Sequence, residues 1–341
     1  MRGSIRRWIL PLVGLGITAF FLWLLLSRVE LHEVSGALSR ISAVSLLIAL
    51  VFLAAGYTVR VVRWWSMLRV LDPSVSLSAC GWPFLVSIAV NNLLPFRAGD
   101  ALRVVGFRKQ LRAPAMRLLG TLLIERLLDL MTLLVFFFLG LLYVTDSKLP
   151  DYFIRLTSFI AAGGAVTVLA IFFFSTQIER LFYWITDRPG LTVRGWSDPM
   201  KEHGGHLLDA LRVLQTPTLT LKLIALSVVV WSFEGAVFAT VAHALSPESA
   251  TSGPWFALST GTLATLLPSS PGYVGTFDYF AMLGMMAYGA ERASATAFAV
   301  VVHVVLWLPL TIAGMTYFLM PGARMLGRQV VASISTKEES T

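Results

Sequence analysis

Three clusters in this sequence carry residue types that could handle a charged group inside a membrane. The first is Asn91–Arg103, reading NNLLPFRAGDALR. Arg97 and Arg103 are suited to holding a phosphate bidentately, although arginines at the inner end of a span also act as plain topology signals. Asn91 and Asn92, the only asparagines in the chain, could bond the polar groups beside that phosphate. Asp100 could cap a helix after the turn or join the site, and Pro95 and Gly99 shape the backbone between them. The second cluster is ERLLD at Glu125–Asp129. Glu125 and Asp129 are four apart and share a helix face, while Arg126 and Asp129 are three apart and can pair. A charge at the bilayer centre costs about 2.5–3.5 kcal/mol on insertion scales, so each needs a partner or a wet cavity. Either Arg126 meets a phosphate and the carboxylates orient it, or the cluster is a buried ion pair that fixes helix packing. The third cluster is Leu267–Asp278, reading LPSSPGYVGTFD. Ser269 and Ser270 offer hydroxyls there, and Pro271 and Gly272 bend the chain.

Three further groups, Glu234, Asp278 and His303, fall in or near apolar runs and are candidates for proton coupling; each could equally be a satisfied interhelix hydrogen-bonder. Asp278 could also sit at the outer interface. His203 and His206 read as a solvated helix face, and no metal site is expected. There is no P-loop, no G-x-S-x-G and no H-E-x-x-H, so no cofactor and no hydrolase or transferase chemistry is indicated.

The elements that must position these residues follow from composition. Of 341 residues 56% are hydrophobic and only 13% charged, and mean hydropathy is +0.75, which places the chain outside soluble globular proteins. The apolar runs are continuous and longer than the period-2 segments of an outer-membrane barrel. The expected fold is therefore an all-α polytopic membrane protein. The net charge of +8 sits mostly in short loops, which points to topology and anionic lipid and away from nucleic acid. The lone Cys80 excludes an internal disulfide.

Basic residues set the orientation. Arg2, Arg6 and Arg7 precede the first span, Trp8–Leu26, and Arg324 and Arg328 follow the last, so both termini are read as cytoplasmic. The second span, about Ala43–Val62, returns to Arg60, Arg63 and Arg69, which read as its cytoplasmic flank. The run Trp82–Leu94 has 13 residues, or about 20 Å of helix, against a core of about 30 Å. It stops at Pro95 with basic residues on both sides, so it reads as a re-entrant hairpin. Further spans lie within Arg117–Thr145 and at Phe153–Phe174, Leu223–Leu245 and Ala293–Met320. The run Trp255–Leu267, stopped by Pro268, reads as a second hairpin, entered from outside. Residues 176–222 carry leucines at helical spacing (Leu207, Leu208, Leu211 and Leu214) and read as an amphipathic helix on the inner surface. The count is about six full spans and two re-entrant hairpins in one domain, 1–332, with a disordered tail at 333–341.

Leu94-Pro95 and Leu267-Pro268 stand 173 residues apart. At that offset the flanking spans also coincide, giving repeat A at about 43–145 and repeat B at about 222–320. Both repeats read span, broken hairpin, span, and they begin on opposite sides of the membrane. An inverted repeat of this kind places a binding site where the breaks meet near the midplane.

NNLLPFRAGDALR, ERLLD and LPSSPGYVGTFD, in that order, resemble the lysylphosphatidylglycerol synthase transmembrane (flippase-like) family, over roughly residues 43–320. The family includes the membrane half of the multiple peptide resistance factor. The resemblance implies an inner-membrane protein that binds or translocates a membrane phospholipid or a polyprenyl-phosphate lipid. The full synthases carry a soluble aminoacyl-transfer domain after the membrane part; this sequence ends at Thr341, so the resemblance implies no transferase activity for it. Two alternatives stay open: a membrane enzyme acting on lipid phosphate, and a non-transporting partner of a lipid-modifying synthase or glycosyltransferase.

Overall fold

The computed structural model describes residues 16–26, 38–142 except 96, 216–245 and 251–320 except 268, together with isolated positions in 35–36 and 155–205. Among the described residues there are helices and turns and no strand. A short apolar helix, α1 (Gly16–Leu26), precedes α2 (Ala43–Leu71), α3 (Leu77–Leu93), α4 (Ala98–Val105) and α5 (Ala115–Leu142). Then come α6 (Pro217–Leu245), α7 (Gly253–Ala264), a 3-10 turn (Pro271–Tyr273), α8 (Thr276–Met286) and α9 (Arg292–Met315), which runs on into a 3-10 turn, Thr316–Leu319. Three of these, α2, α6 and α9 with its 3-10 extension, are long and apolar enough to cross a membrane. The protein is membrane-embedded and multi-pass.

Local chemistry explains the boundaries. Ser42 caps α2 by accepting the Ser45 N–H, and Ser76 caps α3 by accepting the Ala79 N–H. Pro83 lies inside α3 and cannot supply the N–H that Ala79 O would accept; the Gln110 side chain donates to that carbonyl instead, at 3.1 Å. The helix stops at Leu93, two residues before Pro95, as the steric effect of proline on its predecessor requires. On the other side of the break Arg97 takes a left-handed φ of 53° and α4 begins. In the second half Gly272 (φ 72°) and Gly275 (φ 80°) make the corresponding turn. A Cβ on Gly272 would meet the Trp307 indole at 2.8 Å, so glycine answers there to both backbone and space.

The two halves repeat in their element order. Two helices of 29 residues, α2 and α6, start 174 positions apart and pack along each other. Each is followed by a shorter helix, a break, a second short helix and a long one. The packing is exchanged between halves: α3 lies on α9, and α7 lies on α5. Most of the buried apolar side chains form one cluster centred on α6–α9, and a second cluster fills the space among α2, α3, α4 and the start of α5.

Two boundaries differ from the sequence reading. The helix that carries the second span does not end at Val62, because α2 runs on to Leu71 and holds Arg60 and Arg63 inside the bundle. The last residues of the 176–222 segment, from Pro217, belong to α6; the rest of that segment lies outside the described residues apart from isolated positions, as do Pro268 and the tail at 333–341.

The approach of α4 to α3 gives a direct test. A Cβ on Gly99 would fall 1.9 Å from Ser87 O, a backbone atom with nowhere to go. Gly99→Ala is expected to destabilise the hairpin by about 1–3 kcal/mol, as overpacked cores do. Thermal unfolding of the purified protein reads this, and an unchanged midpoint would refute the close packing.

Candidate functional site

The breaks of the two halves meet. Arg97 Nε donates to the Tyr273 hydroxyl at 3.1 Å, and the Trp307 indole N–H donates to Asn92 O at 3.3 Å. Asn92 Nδ2 in turn donates to Thr311 Oγ1 at 2.9 Å. Between the breaks lies a cavity of ≈190 Å³. Its first-half wall is Tyr57, Arg60, Ile88, Asn91, Asn92, Arg97, Asp100 and Arg126. Trp231, Glu234, Thr262, Thr265, Gly272, Tyr273, Phe277, His303, Leu306 and Trp307 complete it from the second half.

An ion-pair network stands behind the first-half wall. Arg63, 0% exposed, reaches Asp129 Oδ1 at 2.7 Å and donates to Ser227 Oγ at 2.7 Å. The Trp231 indole N–H donates to the same Asp129 oxygen at 3.0 Å. Asp129 Oδ2 lies 3.9 Å from Arg60 and 3.8 Å from Arg126. Arg60 pairs closely with Glu234, its counterpart 174 positions on, and its guanidinium lies over the rings of Tyr57 and Trp231. Arg126 Nη2 reaches Glu125 at 3.4 Å and Asp100 at 3.5 Å, while 34% of its side chain remains exposed. Asn91 and Asp100 exchange two hydrogen bonds, at 3.0 and 3.1 Å, and so clamp α3 to α4.

In the second half Asp278 performs two tasks. Its Oδ2 accepts the Gly275 N–H at 2.8 Å and fixes the start of α8. Its Oδ1 lies 2.8 Å from His303 Nδ1. Asp278 is buried within the protein. Counting the cavity wall, the side chains paired to it and the arginines that pair with those in turn, the described residues include five arginines (60, 63, 97, 103 and 126) and five carboxylates (100, 125, 129, 234 and 278). Among the described residues Arg97 is the arginine of this set with no carboxylate oxygen within 4.0 Å, its charge acting on Asp100 from beyond that distance, and Asp278 is the carboxylate paired with a histidine in place of an arginine.

Of the residues singled out from sequence, Asn91, Asn92, Arg97, Asp100, Arg126, Glu234, Gly272 and His303 line the cavity, and Glu125, Asp129 and Asp278 brace it. Arg103 does not reach it. Its guanidinium is held between the rings of Trp64 and Phe84 and pairs with Glu125 at 3.2 Å, 1% exposed, which is a packing role. Asp100 is not a helix N-cap, because Arg97 occupies that position and Asp100 sits in the first turn. Pro95, Gly99, Ser269, Ser270 and Pro271 shape the breaks without lining the cavity; the Ser270 N–H donates to Thr18 Oγ1 of α1 at 3.1 Å. Sequence reasoning missed Tyr57, Arg60, Arg63, Trp231, Tyr273 and Trp307. A usable signal was present for the arginines: Arg60 and Arg63 share a helix face, and Arg60 stands 174 positions before Glu234, within one residue of the offset between the breaks.

The meeting of the breaks can be checked chemically. With the buried Cys80 changed to serine, cysteines at Arg97 and Tyr273 are expected to be bridged by a short bifunctional thiol reagent within one monomer. Absence of bridging in folded protein, with both thiols labelled singly, would contradict it.

This is a multi-pass helical membrane protein with a charged, aromatic-lined cavity between two broken helical segments. The chain belongs to the lysylphosphatidylglycerol synthase transmembrane-region family, whose match runs over residues 12–314. No curated protein matches it.

Proposed function

We propose that this chain is a lipid flippase or lipid-binding transporter whose cavity takes the head group of an anionic or polyprenyl-linked phospholipid. The observation that carries the reading is the placement of Arg97 and the partly exposed Arg126 on one cavity wall, Arg97 with no carboxylate oxygen within 4.0 Å among the described residues. A phosphate there gains charge-assisted hydrogen bonds. The aromatic and aliphatic side chains around it, Ile88, Phe277, Leu306 and Trp307, suit the apolar remainder of a lipid. In this reading the halves are inverted repeats and the breaks are the tips of re-entrant hairpins entering from opposite faces of the inner membrane. Both termini are cytoplasmic, and rocking of one half against the other alternates access to the cavity.

Reconstitution in vesicles containing head-group-labelled phosphatidylglycerol or polyprenyl phosphate tests this. The expected result is faster exchange of one lipid between leaflets, with the lipid chemically unchanged. Folded protein that leaves every such distribution unchanged would overturn the transport reading, and turnover of the lipid would favour an enzyme.

A further inference from the structure

We propose that Asp278 and His303 form a proton site that balances the charge of a bound head group, so that each singly charged lipid phosphate enters with one proton on His303. The inference rests on the cavity being a head-group site. Its basis is the equality of five arginines and five carboxylates, among the described residues, in the connected network made of the cavity wall and the ion pairs behind it, with Asp278 the one carboxylate held by a histidine. With His303 neutral the set carries no net charge. Placing a phosphodiester monoanion inside leaves one uncompensated negative charge, and unbalanced charge in a low-dielectric interior is costly.

His303 is placed to remove that imbalance. It lines the cavity, its ring meets Phe277 edge-on, and its Nδ1 lies 2.8 Å from Asp278 Oδ1. In the neutral ring Nδ1–H donates to Asp278 and Nε2 is a bare acceptor. A proton taken from water onto Nε2 makes the imidazolium, adds one donor, and leaves the Asp278 contact in place as an ion pair. Histidine is the side chain whose charge changes near neutral pH. The other charged or titratable groups on the wall are Tyr57 and Arg60 of α2, Glu234 of α6 and Tyr273 of the 3-10 turn. Arg97, Asp100 and Arg126 complete them; α3 adds only asparagines. Arg60 and Glu234 are committed to each other, and Asp100 is held by Asn91, Ser87 and Arg126. His303 is the group among them whose described ionic partner is a carboxylate with no arginine on it.

Calorimetric titration of the full-length protein with short-chain phosphatidylglycerol, in two buffers of different ionisation enthalpy, counts protons taken up per lipid. At alkaline pH the wild type is expected to take up about one proton per lipid and to lose affinity about tenfold per pH unit. The two single variants should err in opposite directions. His303→Gln keeps the Asp278 charge, so it should bind weakly at every pH with no proton uptake. Asp278→Asn removes a negative charge and keeps an acceptor for Gly275, so it should bind as tightly at alkaline pH as the wild type does at acid pH, again without uptake. Lipid binding with no proton linkage in the wild type, or both variants weakened alike, would overturn the proton site while leaving the head-group site standing. No binding by the wild type at any pH would overturn both.

Discussion

Arg97→Ala is expected to leave the helices folded and to slow lipid redistribution in reconstituted vesicles at least tenfold. The Arg97 side chain makes one described hydrogen bond, to the Tyr273 hydroxyl, and has no described carboxylate oxygen within 4.0 Å, so little of the bundle depends on it. What it offers a ligand is larger. Hydrogen bonds to charged groups contribute about 1.5–3 kcal/mol, and each 1.4 kcal/mol is about tenfold in affinity. Arg97→Lys keeps the charge but loses the planar fork, so an intermediate rate is expected. An unimpaired rate for the alanine variant would remove Arg97 from the mechanism.

Asp129→Ala is expected to act on the fold itself. Arg63 has no solvent exposure, and Asp129 is its carboxylate partner; among the described residues the variant leaves the buried guanidinium with Ser227 alone. Breaking a buried pair on one side typically costs about 3–5 kcal/mol. Trp231 loses its acceptor in the same change, and Arg60 and Arg126 each lose a nearby carboxylate oxygen. Low yield and a clearly lowered thermal midpoint in detergent are expected. Asp129→Asn should fall between, since an amide oxygen still accepts from Trp231. A midpoint equal to that of the wild type in Asp129→Ala would mean that the network does not hold α2, α5 and α6 together.

The breaks were legible because their chemistry is local. Proline acts on its own residue and the one before, so Leu94-Pro95 announces the end of α3 without knowledge of any neighbour. ERLLD was legible as a group needing partners, because charge inside an apolar run is costly wherever it lies. The identity of those partners was not. Arg60 and Arg63 stand at the end of an apolar run, where arginine usually marks the cytoplasmic side. Their true partners, Asp129 and Glu234, lie far along the chain and come near only through packing of α2 on α5 and α6. The opposite error arose at Arg103: its type and place suited phosphate, but α4 turns it between Trp64 and Phe84 and onto Glu125. Tyr273 escaped notice because an aromatic in a Pro-Gly turn carries no pattern; only the meeting of the two breaks brings its hydroxyl to Arg97.

Native mass spectrometry of the purified protein tests the head-group site most directly. The expected spectrum of the wild type shows one tightly retained anionic lipid of defined mass, absent from Arg97→Ala at equal folding. A wild type that carries no lipid, or an Arg97→Ala variant that retains the same lipid to the same extent, would contradict the assignment of the cavity as a phosphate-lipid site.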